Sequence, residues 1–261
     1  PVYDVEESRW KEIGSHINST IRISGEEKIT DAFVLRSFAT NAYMISVTKN
    51  GLVKKTAVRE YEVSRNNKTM SNMKLLDGDA VVKTMVAYAY DEILIASKNG
   101  FVSRYPVSLI PETSPRSKGV KAMNLVLDEI VSACISHGDA SQLIVFTDQC
   151  QMKRIKLSDV DVTGRPTKGS MICKKVKSKP YQIAHIALHD LNDELVIINE
   201  ETQKILAKDI SLMSKDATFS SPLHTTQDYY FLRTLAAVEQ RELPAIQEEK
   251  QEFEEIELFE D

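Results

Sequence analysis

The chain has 261 residues, 42% hydrophobic and 27% charged, and its 33 Lys and Arg against 38 Asp and Glu give a formal net charge of −5. This composition is typical of a globular protein and excludes collagen-like and strongly disordered classes. The three cysteines form no CxxC pair, which favours a reducing compartment, and no apolar run approaches the roughly 18 residues that a membrane span needs. We therefore expect a cytoplasmic protein with no membrane contact.

Charge is distributed unevenly along the chain. Residues 42–185 contain 22 Lys and Arg against 13 Asp and Glu, whereas residues 236–261 contain 2 basic residues against 10 acidic ones. A basic body is typical of a protein that binds a polyanion such as nucleic acid, but a solvated surface has the same composition. The positions of the cations must decide between these two interpretations.

A repeat of about fifty residues organises the chain. The segment MISVTKNGLVKK at 44–55 recurs as ILIASKNGFVSR at 93–104, LIVFTDQCQMKR at 143–154 and LVIINEETQKIL at 195–206. The equivalent positions 51, 100, 150 and 202 lie 49, 50 and 52 residues apart. Residues 1–14 also align with residues 106–119 and 156–169, which predicts a partial repeat at the start.

Each repeat is predicted to form a blade of four antiparallel strands. Two short apolar runs form a hairpin, and the Asn-Gly pairs at 50–51 and 99–100 favour a type I′ turn. Gln-Cys and Glu-Thr take this place in the third and fourth hairpins, where we expect a different turn. A polar loop follows, then strands near 120–125 and 130–136 in the third repeat.

These blades predict an all-β, propeller-like fold, because a blade cannot bury its faces alone and must pack against its neighbours. About five blades are expected over residues 1–222, divided as 1–41 (partial), 42–91, 92–141, 142–193 and 194–222. Residues 223–261 are predicted to contain a short helix near 228–243, ended by Pro244, and an acidic tail. The tail is either a solvated segment or one that competes with nucleic acid or contacts a partner subunit.

Motifs for catalysis and cofactor binding are absent from the sequence. It contains no phosphate-binding loop, dinucleotide-binding loop, HExxH helix or GxSxG elbow. His185 and His189 would share one face of a strand, but no further residues complete a metal-ligand set. We expect no catalytic, cofactor or metal site in this chain.

Basic residues recur at two places in the repeats, in the loop before the third strand and on the second hairpin strand. A single lysine is ordinarily a solubilising side chain, but cations repeated at equivalent positions can neutralise regularly spaced DNA phosphates without reading any base. The loop candidates for DNA contact are Lys11, His16, Arg65, Lys68, Arg116, Lys118, Lys121, Arg165 and Lys168. The hairpin candidates are Lys54, Lys55, Arg104, Lys153 and Arg154.

The loops RWKEIGSH at 9–16, SPRSKGVK at 114–121 and GRPTKGS at 164–170, in blades with TKNG and SKNG turns, resemble a known family. The chain is similar, over about residues 1–222, to the C-terminal domain of the A subunit of bacterial type IIA topoisomerases. This resemblance implies a β-pinwheel, whose blades exchange a strand and whose basic perimeter binds and bends duplex DNA. Met70 and Ser221 are aligned with the loop glycines Gly14, Gly119 and Gly169, so these two repeats depart from the family pattern.

The resemblance favours topoisomerase IV over gyrase. Gyrase A subunits have a QRRGGRG box in the first blade, which this chain lacks. The loop at 9–14 is instead similar to the one in topoisomerase IV A subunits of Gram-positive bacteria. A gyrase domain, or a β-propeller that binds a protein partner and no DNA, are the alternatives.

The resemblance also implies the setting of the domain. The complete enzyme would be a heterotetramer of an A-subunit dimer and ATPase B subunits, with its catalytic tyrosine, ATP and Mg²⁺ at sites outside this chain. This chain would be an accessory DNA-binding domain, monomeric when isolated and nucleoid-associated. It would orient DNA for decatenation and relaxation of supercoils.

Overall fold

The computed structural model describes residues 5–7, 9, 14–19, 21, 23–24, 27–64, 69–138, 142–178, 180–198, 202–220 and 230–232. The regular elements in these residues are fourteen β-strands and five short 3₁₀ turns. The strands are β1 (Tyr43–Thr48), β2 (Leu52–Ala57), β3 (Val81–Ala87), β4 (Glu92–Ser97), β5 (Phe101–Pro106), β6 (Val120–Lys121), β7 (Ile130–Ser136), β8 (Gln142–Thr147), β9 (Met152–Lys156), β10 (Ser170–Met171), β11 (Ile183–Leu188), β12 (Glu194–Ile198), β13 (Thr202–Leu206) and β14 (Tyr230–Leu232). The 3₁₀ turns are Ile17–Ser19, Val58–Tyr61, Val107–Leu109, Leu157–Asp159 and Ala207–Asp209. The all-β prediction is confirmed, and no helix in these residues is long and apolar enough to cross a membrane.

The strands form four antiparallel sheets, each built on one hairpin of the repeat. The hairpins are β1–β2, β4–β5, β8–β9 and β12–β13. A third strand, β3, β7, β11 or β14, pairs with the first strand of its hairpin. Each sheet is therefore built on one hairpin of the repeat, but β14 lies beyond the predicted bounds 194–222 of the last blade. We number the sheets as blades one to four in this order.

The strand at the far edge of a blade comes from the following repeat. β6 pairs with β2 of blade one, and β10 pairs with β5 of blade two. In blade three Ser220 bridges Met152 at the same position. The strand predicted near 120–125 thus lies on the preceding blade, which confirms the exchange that the family resemblance implied.

The sheet order gives the assembly an inner and an outer edge. β3, β7 and β11 end their sheets on one side, where β3 packs against β7 and β7 against β11. The Ile186 N–H in β11 donates to Ser132 Oγ in β7 at 3.2 Å. The exchanged strands and the loops before them lie at the opposite edge of each sheet, so these loops occupy the outer perimeter.

Hydrophobic cores lie between successive blades. Ile45 of blade one packs with Ile93 of blade two, whereas the adjacent Leu94 packs with Leu143 of blade three. Successive strand residues point to opposite faces, so both faces of a central strand are buried between neighbours. This packing explains why the first hairpin strands are continuous apolar runs rather than alternating ones.

The Asn-Gly pairs predicted type I′ turns, and this prediction is wrong for the first two hairpins. The Gly51 N–H donates to Thr48 O at 3.2 Å, and Gly51 has a φ of 91° while the φ of Asn50 is not positive. The three-residue connection is therefore a type I turn followed by a left-handed residue, which forms a bulge. The bulge makes the turn compatible with the right-handed twist of the two strands, which a type I turn alone would oppose.

The third hairpin has the same turn, although its sequence predicted a different one. The Cys150 N–H donates to Thr147 O at 3.3 Å, and Cys150 has a φ of 57°. Its side chain is buried in the core between blades three and four, and this packing holds a non-glycine residue in the left-handed region. The corresponding turn residues 199–201 lie outside the described residues.

The predictions for the two ends have different outcomes. No strand is found among the described residues before Tyr43, so the partial first blade stays a prediction. The C-terminal helix is wrong at Tyr230–Leu232, which forms β14 and pairs with Val196–Ile198. Aromatic residues favour a strand, and the open edge of β12 provides backbone partners that an isolated helix would lack. The rest of the predicted helix and the acidic tail lie outside the described residues.

We expect the Gly100→Ala substitution to lower the free energy of unfolding by about 2 to 4 kcal/mol. Gly100 has a φ of 93°, and a Cβ there would lie 2.3 Å from Cys173 Sγ. Gly78→Ala is the control, since its φ is 73° but nothing lies within 4 Å of its added Cβ. It should cost about 1 kcal/mol. Urea denaturation measures both values, and equal losses would contradict the packing argument.

Candidate nucleic-acid interface

The two predicted groups of cations lie in different environments. On the hairpins, Lys54, Lys55 and Lys153 are 2%, 6% and 0% exposed, and Arg104 and Arg154 are half-buried. In the loops, His16, Arg116, Lys118, Lys121 and Lys168 are exposed and Arg165 is half-buried. Lys11, Arg65 and Lys68 lie outside the described residues.

The cation four residues after the left-handed turn residue joins its blade to the next repeat. Arg104 Nη1 donates to Leu157 O at 2.8 Å and Val160 O at 3.2 Å, while its Nε donates to Glu92 at 2.7 Å. Arg154 and Lys55 donate in the same way to carbonyls of the next 3₁₀ turn or its flanks. Leu157 O and Val107 O also accept from backbone N–H groups three residues later, and the cations add charge-assisted hydrogen bonds that join the two repeats. Each cation therefore acts as a clamp between blades.

The lysines one position earlier are also structural. Lys153 Nζ donates to the carbonyls of Ser214, Lys215 and Ala217 at 3.2, 2.8 and 2.8 Å. Lys54 Nζ donates to Thr56 Oγ1. Burial lowers the pKa of both lysines to about 8, because the charged form loses its hydration. Neither ammonium group is available at the surface.

The structure therefore corrects the prediction for the hairpin cations. Lys55, Arg104, Lys153 and Arg154 hold the outer loops or 3₁₀ turns of the following repeat. Lys54 is buried and donates within its own strand, and we remove all five from the candidate DNA contacts. On the second hairpin strands, these side chains pack inside the blades or against the next repeat and do not extend into solvent.

The outer loops are held close to the preceding blade by backbone contact. A Cβ on Gly169 would lie 2.4 Å from Val102 O, and one on Gly119 would lie 2.7 Å from Val53 O. In blade three the bridge from Met152 to Ser220 places Phe219 at this position, so the alignment with Ser221 is wrong by two residues. Lys153 Nζ lies 4.9 Å from the centre of the Phe219 ring, and this contact takes the place of the close approach.

The loop cations face outward from these anchored loops. Arg116 has a φ of 67° and its N–H donates to Asn72 O at 2.9 Å, which fixes the backbone and leaves the side chain exposed. Lys168 Nζ lies 4.4 Å from the centre of the Phe101 ring. Arg165 is more constrained, because it donates to Leu109 O at 3.1 Å and Lys121 O at 2.6 Å. The outer edges of blades one and two thus present cations on a fixed backbone.

Sequence reasoning missed a third group of cations. Lys174, Lys175 and Lys177 are exposed between β10 and β11 and form no ion pair within the part of the chain that the structure describes. Only Lys174 has a basic counterpart, Lys74, whereas Lys175 and Lys177 have none, so a search for recurring positions passed over the group. The signal was the local density of four lysines in residues 174–179.

Blades that exchange their outer strand, with cationic loops on that edge, define a β-pinwheel. The chain belongs to the family of the DNA gyrase C-terminal domain, beta-propeller, whose family model matches residues 1–36, 42–87, 91–137 and 141–190.

Its curated relatives include the A subunits of bacterial DNA topoisomerase 4. The one from Staphylococcus epidermidis is 26% identical over 88% of this chain and 29% of its own length. That from Bacillus subtilis is 28% identical over 78% of this chain and 25% of its own length. The chain therefore spans less than a third of these relatives, and the resemblance to topoisomerase IV is confirmed.

Solved structures show the same fold. The C-terminal domain of DNA topoisomerase IV superposes with a TM-score of 0.78 and 28% identity, covering 85% of this chain and 69% of that one. The DNA gyrase A C-terminal domain gives a TM-score of 0.73 with 17% identity, covering 86% and 75%. The latter likeness concerns the fold alone.

We expect Arg104→Ala to lower the free energy of unfolding by about 2 to 4 kcal/mol, because Val160 O and the half-buried Glu92 lose this donor and Leu157 O loses one of its two donors. Lys118→Ala, at an exposed site, should change it by less than about 0.5 kcal/mol. Urea denaturation gives both values. A stable Arg104→Ala variant with weakened DNA binding would restore Arg104 to the surface set.

The buried Lys54 should make stability depend on pH. Because the pKa of Lys54 is lowered to about 8 in the folded state, the unfolded chain retains this proton to higher pH and stability rises above pH 8. From pH 7 to 9.5 the wild type should gain roughly 1 to 2 kcal/mol relative to Lys54→Met. The control Lys74→Met removes an exposed lysine and should show no such gain. A constant difference between wild type and Lys54→Met would contradict the lowered pKa.

Proposed function

We propose that this chain is the C-terminal domain of the A subunit in a bacterial topoisomerase IV and that it binds duplex DNA through its phosphates. The observation that supports this most directly is the outer-edge position of Arg116, Lys118, Lys121 and Lys168, which lie on the perimeters of blades one and two. His16, Lys11, Arg65 and Lys68 are proposed to extend this contact on the preceding repeats, and Arg165 to support it.

Binding of this kind is independent of base sequence. Exposed ammonium and guanidinium groups neutralise phosphates and release counterions, and the described residues of the perimeter form no α-helix that could enter a groove. A duplex that follows two or more blades must bend, at an elastic cost of about 1–6 kcal/mol for 40–90°. Additional phosphate contacts along the perimeter offset this cost.

The domain would serve a larger enzyme as an accessory part. In this proposal it presents DNA at a set angle for strand passage, which decatenates and relaxes chromosomal DNA in the cytoplasm. Cleavage, ATP and Mg²⁺ would be handled by the rest of the A subunit, in its dimer, and by the B subunit. The 261-residue chain alone would be monomeric and without enzymatic activity.

The salt dependence of binding tests the perimeter. The rim variant is Arg116→Ala/Lys118→Ala/Lys168→Ala, and the control variant is Lys28→Ala/Lys156→Ala/Lys208→Ala, which removes three exposed lysines outside these loops. Fluorescence anisotropy with a random-sequence duplex of about 30 base pairs, from about 50 to 200 mM salt, gives the slope of log K against log salt. We expect the rim variant to lose about 2 to 3 units of slope and the control variant to match the wild type.

Two results would contradict the proposal. Equal losses in the rim and control variants would show that only net charge matters. If the wild type does not bind the duplex at the lowest salt concentration, the proposed DNA ligand is wrong and a protein partner becomes the better interpretation.

A further inference from the structure

The segment after β10 is the most basic exposed part of the described chain. No Asp or Glu occurs between Asp161 and Asp190, while this span contains six Lys and Arg. Lys174, Lys175 and Lys177, which we call the turn-side lysines, are all exposed. No carboxylate of the described residues pairs with these three ammonium groups, which repel one another and therefore favour an anionic ligand.

The backbone of this segment is fixed between two hairpin turns. The Ile172 N–H donates to Gly100 O at 3.0 Å, on the turn of blade two. Gln149 Nε2, on the turn of blade three, donates to Pro180 O at 2.8 Å. The Tyr181 hydroxyl donates to Lys174 O. The turn-side lysines therefore extend from an ordered backbone at the junction of blades two and three.

This site adjoins the proposed perimeter contact. Lys168 Nζ lies over the Phe101 ring, next to Gly100, and a Cβ on Gly100 would touch Cys173, the residue before Lys174. Cations thus continue from the outer loop of blade two, past its hairpin turn, to the turn-side lysines. No other described junction between blades has such a continuation.

The equivalent segments of the preceding repeats have the opposite character. Residues 124–129 read NLVLDE and residues 74–79 read KLLDGD. Glu129 neutralises Lys49 and Lys98, with both Nζ atoms 2.9 Å from its carboxylate oxygens. The turn side is therefore acidic or apolar at the first junction and strongly basic at the second.

We propose that the turn-side lysines bind phosphates of the same duplex that the perimeter binds, after it leaves the perimeter at the junction of blades two and three. This inference rests on the proposed function. The duplex would cross from the outer edge to the turn side instead of staying in one plane around the blades. DNA is favoured over an acidic protein surface because the lysines continue the perimeter cations and contain only the half-buried Val176 among them.

The test compares two duplex lengths with three matched variants. The turn-side variant is Lys174→Ala/Lys175→Ala/Lys177→Ala, and the control is again Lys28→Ala/Lys156→Ala/Lys208→Ala. On the proposed path, a duplex of about 12 base pairs, which is about 40 Å long, would be held by the perimeter cations, and one of about 30 base pairs would also reach the turn side. Anisotropy across the same salt range gives each slope, and urea denaturation verifies that the variants are folded.

We expect the turn-side variant to lose about 2 to 3 units of slope on the long duplex and less than about one unit on the short one. The rim variant should lose slope on both lengths. If the turn-side variant matches the wild type on both lengths while the rim variant is weakened, the proposed path is wrong and the proposed function stands. Equal losses on both lengths would also overturn the path, and wild-type binding by every variant would reject the proposed function itself.

Discussion

The fold depends on the exchanged strand and the backbone contact that precedes it. A blade of three strands has an open outer edge, and the following repeat closes this edge with β6 or β10. The close approach at Gly119 and Gly169 excludes any side chain from the contact. Arg104 and Arg154 then bind the next 3₁₀ turn from the other side. Strand pairing, close packing and charge-assisted hydrogen bonds thus act on the same junction, which holds the outer loops and their cations in place.

The repeat predicted the blades well, because each hairpin forms from residues that are near one another in sequence. The exchange was not visible in the residue pattern, since a strand of two residues such as β6 pairs as well with one neighbour as with another. Cys150 shows a further limit. Its left-handed conformation depends on burial between two blades, which no local turn preference contains.

The recurrence of basic residues at equivalent positions identified some residues of the candidate site correctly and others wrongly, and both outcomes have the same cause. Any contact between neighbouring blades repeats with the fold, whether it binds a ligand or joins the blades. Lys118 and Lys168 recur at exposed positions, whereas Arg104 and Arg154 recur because each blade needs the same clamp. The turn-side lysines occur as a group in one repeat and were therefore missed. Burial distinguishes the exposed loop cations from the clamps between blades. The alternation of polar and apolar residues along a strand predicts burial poorly when both faces of the sheet are covered.

The exchange also shifts the physical unit against the sequence unit. A stretch of about fifty residues contributes the inner three strands of one blade and the outer edge of its predecessor. Deleting or transplanting one sequence repeat would consequently alter two blades and leave an unpaired edge on one of them. During synthesis, a blade would stay incomplete until the outer strand of the next repeat had left the ribosome, so ribosome-bound intermediates would expose one unfinished sheet at a time.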